Sequence, residues 1–98
     1  MKTARPEEYT SDRVMFMALE LSAAKWKVGM TVGLGQKPRE RSVDAADLKA
    51  LAEEIVKAKK RFGLSADTRV VSCYEAGRDG FWIHRCLEAQ GIENVVID

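Results

Sequence analysis

Apolar and polar positions along this chain follow two rhythms, one of period two and one helical. Val14-Met-Phe-Met-Ala-Leu19 and Val70-Val-Ser-Cys-Tyr74 are nearly continuous hydrophobic runs. Runs of that length are the pattern of strands buried on both faces in the middle of a parallel sheet. The first strand is predicted over residues 13–21. Ser22-Ala-Ala24 then turns the chain into a second, where Trp26, Val28, Met30 and Val32 alternate with polar or small neighbours, the mark of a half-buried antiparallel partner. After Gly33-Leu-Gly35 a third strand runs from Pro38 to Val43, with Arg39 and Arg41 on one face and Glu40 and Ser42 on the other. Proline and charge together mark a sheet edge.

Helical spacing follows. Leu48, Leu51, Ile55, Ala58 and Phe62 define one apolar stripe. Asp44 is expected to cap this helix at Ala45, with Asp47 adding negative charge to its first turn. Lys57, Lys59, Lys60 and Arg61 crowd its end, where they complement the macrodipole as a solvated helix terminus or, less commonly for such clusters, touch phosphates, and Gly63 stops it. A fourth strand is predicted from Thr68 to Tyr74. A second helix is predicted from Phe81 to Gln90, with Ile83, Cys86, Leu87 and Trp82 inward and Gly91 as its stop, and a fifth strand from Asn94 to Ile97. The order β-β-β-α-β-α-β over residues 13–98 predicts an α/β domain built on a mixed five-stranded sheet with flanking helices. In such a sheet the first and fourth strands can lie side by side and parallel. Residues 1–12 are polar, contain Pro6 and carry no periodicity, so they are expected to form a flexible leader.

Composition narrows the class more than the function. With 98 residues, 46% hydrophobic and 32% charged, the chain holds one globular core. Its net charge of +1 selects no class of partner. No apolar stretch is long enough for a bilayer and the N-terminus lacks the basic-then-apolar pattern of a signal peptide, which predicts a cytoplasmic protein with no membrane role. Cys73 and Cys86 are then expected to be small core residues; with His84 they lack the paired spacing of a zinc site.

The chemistry lies where two apolar runs end. Glu20 follows the first strand and Glu75 the fourth. A carboxylate leaving a buried strand must meet water, a hydrogen-bond donor or a cation. In an open α/β sheet the carboxyl ends of neighbouring parallel strands are also where ligands gather. Two carboxylates brought together there could hold Mg²⁺ or Mn²⁺ through hard oxygen ligands. The bland alternative is two solvated strand ends, with Glu75 held by backbone N–H groups of the helix that follows.

Several stretches go further. Phe16-Met-Ala-Leu-Glu-Leu-Ser22 with Trp26, the segment 33–41, and above all Val71-Ser-Cys-Tyr-Glu-Ala-Gly-Arg-Asp-Gly-Phe-Trp-Ile-His-Arg85 resemble the N-terminal domain of DEDD-type transposases. These are bacterial insertion-sequence recombinases related to Piv DNA invertases and RuvC-like resolvases. The resemblance implies a ribonuclease H-like fold and DNA cutting and rejoining by metal-dependent phosphoryl transfer, with Glu20 and Glu75 as catalytic metal ligands. It also implies DNA as substrate, a structured guide or bridge RNA as a possible partner, and a homo-oligomer of the full-length protein. In the family the first acid is typically Asp, where this chain has Glu20. The family's two downstream Asp residues and its serine-bearing second domain have no counterpart here, Asp98 standing in for neither, so the expectation is an N-terminal fragment that is inactive alone. Arg78, Arg39 and Arg41 are candidate contacts to the nucleic-acid backbone, and Trp26, Phe81 and Trp82 are aromatics that either stack on bases or pack in the core. The competing function is a non-catalytic nucleic-acid-binding or assembly domain of the same fold. A nucleotide-binding protein fits less well, because Gly33-Leu-Gly35 joins antiparallel strands and precedes no helix.

Overall fold

The computed structural model describes residues 13–33, 37–75 and 81–97. Seven elements follow in the predicted order: β1 (Val14–Leu21), β2 (Lys25–Thr31), β3 (Arg39–Asp44), α1 (Leu48–Arg61), β4 (Arg69–Glu75), α2 (Trp82–Ala89) and β5 (Glu93–Ile97). The five strands form one mixed sheet in the order β3-β2-β1-β4-β5. β1 pairs antiparallel with β2 and β2 with β3, whereas β4 runs parallel to both β1 and β5. The leader and Asp98 lie outside the described residues.

One face of the sheet carries the core. Met15, Met17 and Leu19 of β1, Trp26, Val28 and Met30 of β2, Val43 of β3, and Val70 and Tyr74 of β4 are buried with Leu51, Ile55 and Ala58 of α1 and Ile83 and Leu87 of α2. The helices' apolar stripes therefore cover this face, and removal of that surface from water holds the layers together. Both central strands were expected to be buried on each face. They are buried on one. Phe16, Ala18 and Glu20 alternate with the core residues of β1 and stay exposed, and β4 repeats the alternation with Val71, Cys73 and Glu75. A hydrophobic run does not distinguish the two cases, because period-two burial only requires that the second face be tolerated in contact with water.

The first helix also starts later than predicted. Asp44 ends β3, and Ala46, at φ 64°, swings the chain through a turn to Asp47. Asp47 is the cap: its carboxylate accepts from the Ala50 backbone N–H at 3.0 Å, satisfying one of the orphan donors of the first turn. Asp44 instead accepts from Lys25 Nζ at 2.6 Å across the β2–β3 pair. That hydrogen bond, with the charge behind it, holds the Asp44 carboxyl below its ordinary value. A carboxyl lowered in this way stabilises the fold above its unfolded pKa and gives that stabilisation up as pH falls through the lowered one. Lys25→Met is expected to return Asp44 to the ordinary aspartate range in an NMR titration. Unaltered titration would exclude Lys25 as the cause.

Both helices end on glycines in the left-handed region, Gly63 at φ 70° and Gly91 at φ 82°. Neither cysteine is fully buried, contrary to expectation; both are half-buried free thiols, Cys73 on the sheet face that no described helix covers.

Candidate functional site

The parallel register of β1 and β4 sets the geometry. Val14 aligns with Arg69 and each step follows in turn to Leu19 opposite Tyr74. Glu20 and Glu75 are the next residue on each strand, so they stand side by side at the carboxyl ends of the two strands. Adjacent strands lie about 4.8 Å apart. Alternation sends both side chains to the uncovered face, where both residues are exposed. The structure thus brings together the two carboxylates that the sequence singled out.

The row extends across the sheet. Lys27 of β2 pairs directly with Glu20, Ser42 of β3 pairs with Lys27, and Ile97 of β5 pairs with Glu75. The same end of the uncovered face therefore presents Ser42, Lys27, Glu20, Glu75 and Ile97 in order. Lys25 is also on this face, but its ammonium is held by Asp44. Among the described residues Lys27 and Glu20 form no ion pair, with each other or with a third residue. Lys27 is not among the basic residues that the sequence singled out, which were Arg39, Arg41 and Arg78. Its signal was present in the alternation of β2, which puts Lys27 on the polar side, and in the short hairpin, which fixes it opposite Glu20.

Below this row the uncovered face is apolar. Phe16, Ala18, Gly29, Thr31, Pro38, Val71, Cys73 and Val95 contribute to a shallow depression of about 270 Å³.

The arginines lie elsewhere. Arg39 pairs with Met30 and Arg41 with Val28, both core positions, so these two arginines belong to the helix-bearing side of β3. Arg39 Nη1 donates to Glu54 Oε1 of α1 at 2.9 Å, with only 14% and 16% of the two side chains exposed. Arg41 is exposed and donates to the Glu40 carbonyl at 2.7 Å. Neither shares the face of Glu20 and Glu75. Arg78 lies outside the described residues. Trp26 is a core residue whose ring meets Trp82 at 6.2 Å between centroids, tilted by 45°. Phe81 is exposed and meets His84 edge-on at 6.4 Å.

A second polar group is buried between the helices and the sheet. Ser72 Oγ donates to Asn94 Oδ1 at 2.6 Å, and the Asn94 amide nitrogen lies 2.9 Å from His84 Nδ1. With its oxygen turned to Ser72, the Asn94 amide donates to Nδ1, which places the proton of neutral His84 on Nε2. The His84 backbone N–H in turn donates to the Tyr74 hydroxyl at 3.0 Å. His84 is therefore engaged in packing α2 onto β4 and β5. Among the described residues no group of three or more His, Cys, Asp or Glu comes together. No helix among them is long and apolar enough to cross a membrane.

No protein-family model matches the chain. The chain is 43% identical over 103 residues to a protein of Sinorhizobium fredii named as a transposase, y4rJ. The match takes in 96% of this chain and 26% of that protein, so the chain spans about a quarter of the relative's length.

Proposed function

We propose that the chain is a ribonuclease H-like portion of a DEDD-type transposase, taking part in metal-dependent cutting and rejoining of DNA during insertion-sequence transposition. The observation that carries this reading is the placement of Glu20 and Glu75 in adjacent register, on one face, at the ends of two parallel central strands. The likeness to a named transposase over 96% of the chain supports it, as does the parallel pairing of the first and fourth strands.

The donor set suits Mg²⁺ or Mn²⁺. Two carboxylates supply hard, anionic oxygens, and their exposure leaves water to complete the coordination sphere. Such a cation, when bound, supplies charge to polarise a phosphate and lower the pKa of a bound nucleophile. The chain's own contribution is to hold Glu20 and Glu75 side by side on rigid strands. Glu20, one methylene longer than the usual Asp, reaches further from its strand. Two protein ligands hold a hard cation weakly, so these residues alone bind metal without cutting DNA. DNA is the partner this reading requires; a structured RNA and a homo-oligomer rest on the family resemblance.

Mn²⁺ binding measured by calorimetry and by the loss of the free-ion EPR signal tests the reading. Weak binding that Glu75→Gln abolishes and Glu20→Gln greatly reduces is expected, with unchanged thermal unfolding. Equal binding by the parent and both variants would overturn it. The competing reading, a non-catalytic binding or assembly domain, draws on the position of Lys27, which stands opposite Glu20 and could balance its charge without metal. It predicts no response to Mn²⁺ at all.

A further inference from the structure

Lys27 is the one cation of the carboxylate row that no described residue occupies. Its neighbour on the same face, Lys25, is bound to Asp44 at 2.6 Å. Arg39 is bound to Glu54 on the opposite face, and Arg41 also lies on that face. Lys27 is exposed, central in β2 and directly across from Glu20. Side chains directly opposite on an antiparallel pair have Cβ atoms about 5 Å apart. An ammonium there is close enough to feel any charge gathered at the carboxylates.

Opposite charges so placed are within reach of an ion pair. Exposed pairs contribute little, however, and holding two long side chains in one geometry costs entropy. The ammonium therefore stays available. A lysine is a compact point charge on a flexible stem, suited to a single phosphate oxygen rather than to bidentate recognition.

We infer that Lys27 is the phosphate-binding residue of this site: it contacts a non-bridging oxygen of a nucleic-acid phosphodiester lying on the uncovered face while Glu20 and Glu75 hold the divalent cation. This rests on the metal reading of the two carboxylates and adds the group that engages the substrate. The arrangement gives Lys27 opposite effects on its two neighbours. It repels a cation at Glu20 and Glu75 and attracts the anionic backbone.

That opposition is what an experiment can read. Mn²⁺ affinity, and affinity for a fluorescent DNA duplex as a function of salt, are measured for the 98-residue chain and for Lys27→Met and Lys27→Arg. Lys27→Met is expected to bind Mn²⁺ roughly two- to sevenfold more tightly, the range given by removing one charge taken to lie about 7 Å from a divalent cation in water, from about 0.1 M salt to no screening. The same variant is expected to bind DNA more weakly, with a plot of log affinity against log salt flatter by about 0.9, the contribution of one phosphate contact. Lys27→Arg should restore the salt dependence of DNA binding. An unchanged slope in Lys27→Met, with Mn²⁺ binding still dependent on Glu75, would overturn this inference alone. Mn²⁺ binding that survives Glu75→Gln would remove the metal reading and this one with it. Weakening of metal and DNA together, alongside a lowered melting temperature, would mark Lys27 as merely structural and also overturn it, as would an absence of DNA binding at low salt.

Discussion

Trp26→Ala is expected to destabilise the fold by about 3–5 kcal/mol, the range for deleting a buried large aromatic. Trp26 is 2% exposed and sits on β2 among Val28, Met30 and Val43 on the helix-bearing face. Truncation removes its transfer free energy, the contact with Trp82 and the packing that surrounded the ring. A domain of this size has about 5–15 kcal/mol in total, so the variant would sit near its unfolding threshold. Urea unfolding would report this as a lower midpoint at unchanged slope. Trp82→Ala is the internal comparison. That ring is 36% exposed, and its loss should cost clearly less. A Trp26→Ala variant within about 1 kcal/mol of the parent would contradict the core position, since large losses follow from cavities in packed cores.

Asn94→Leu is the second large effect, expected at about 1–3 kcal/mol, the cost of leaving buried polar groups without partners. The substitution keeps the shape and removes both hydrogen bonds of the amide. Ser72, 1% exposed, is left with only the long contact from its hydroxyl to the Glu93 carbonyl at 3.4 Å. His84 Nδ1 loses its donor. Replacing both ends should restore much of the loss: Ser72→Ala with Asn94→Leu turns a stranded polar pair into apolar packing. The double variant is thus expected to be more stable than Asn94→Leu alone. Additive losses instead would show that the two side chains contribute independently.

The order of elements and the pairing of β1 with β4 were legible because the hydrophobic runs, the hairpin and the two crossovers leave few topologies for this chain. The adjacency of Glu20 and Glu75 followed from that pairing. One-sided burial was not legible: Phe16 and Val71 are as apolar as the core residues beside them, and only the position of the helices separates the two faces. The start of α1 was misplaced because Asp44 and Asp47 are equally good caps in isolation, and the choice was made by Lys25, which holds Asp44 at the end of β3. Ser72, His84 and Asn94 lie on three different elements, so no spacing in the sequence announces their contact. Arg39 and Arg41 were placed correctly on one face of β3. What the pattern lacked was which face the helices would take.

The chain reaches its fold by an order of events that the strand pairing constrains. β1 and β2 are joined by a short turn and can meet early, since closing a small loop costs little. β1 meets β4 only after the chain has returned through β3 and α1, bringing Val14 to Arg69. Pairings between residues so distant in sequence are the slow ones. Glu20 and Glu75 become neighbours only when the central parallel pair closes, which is expected to be slower than the β1–β2 hairpin. Any affinity that needs both carboxylates is absent until β1 and β4 pair, so cation binding would time that pairing in a refolding experiment.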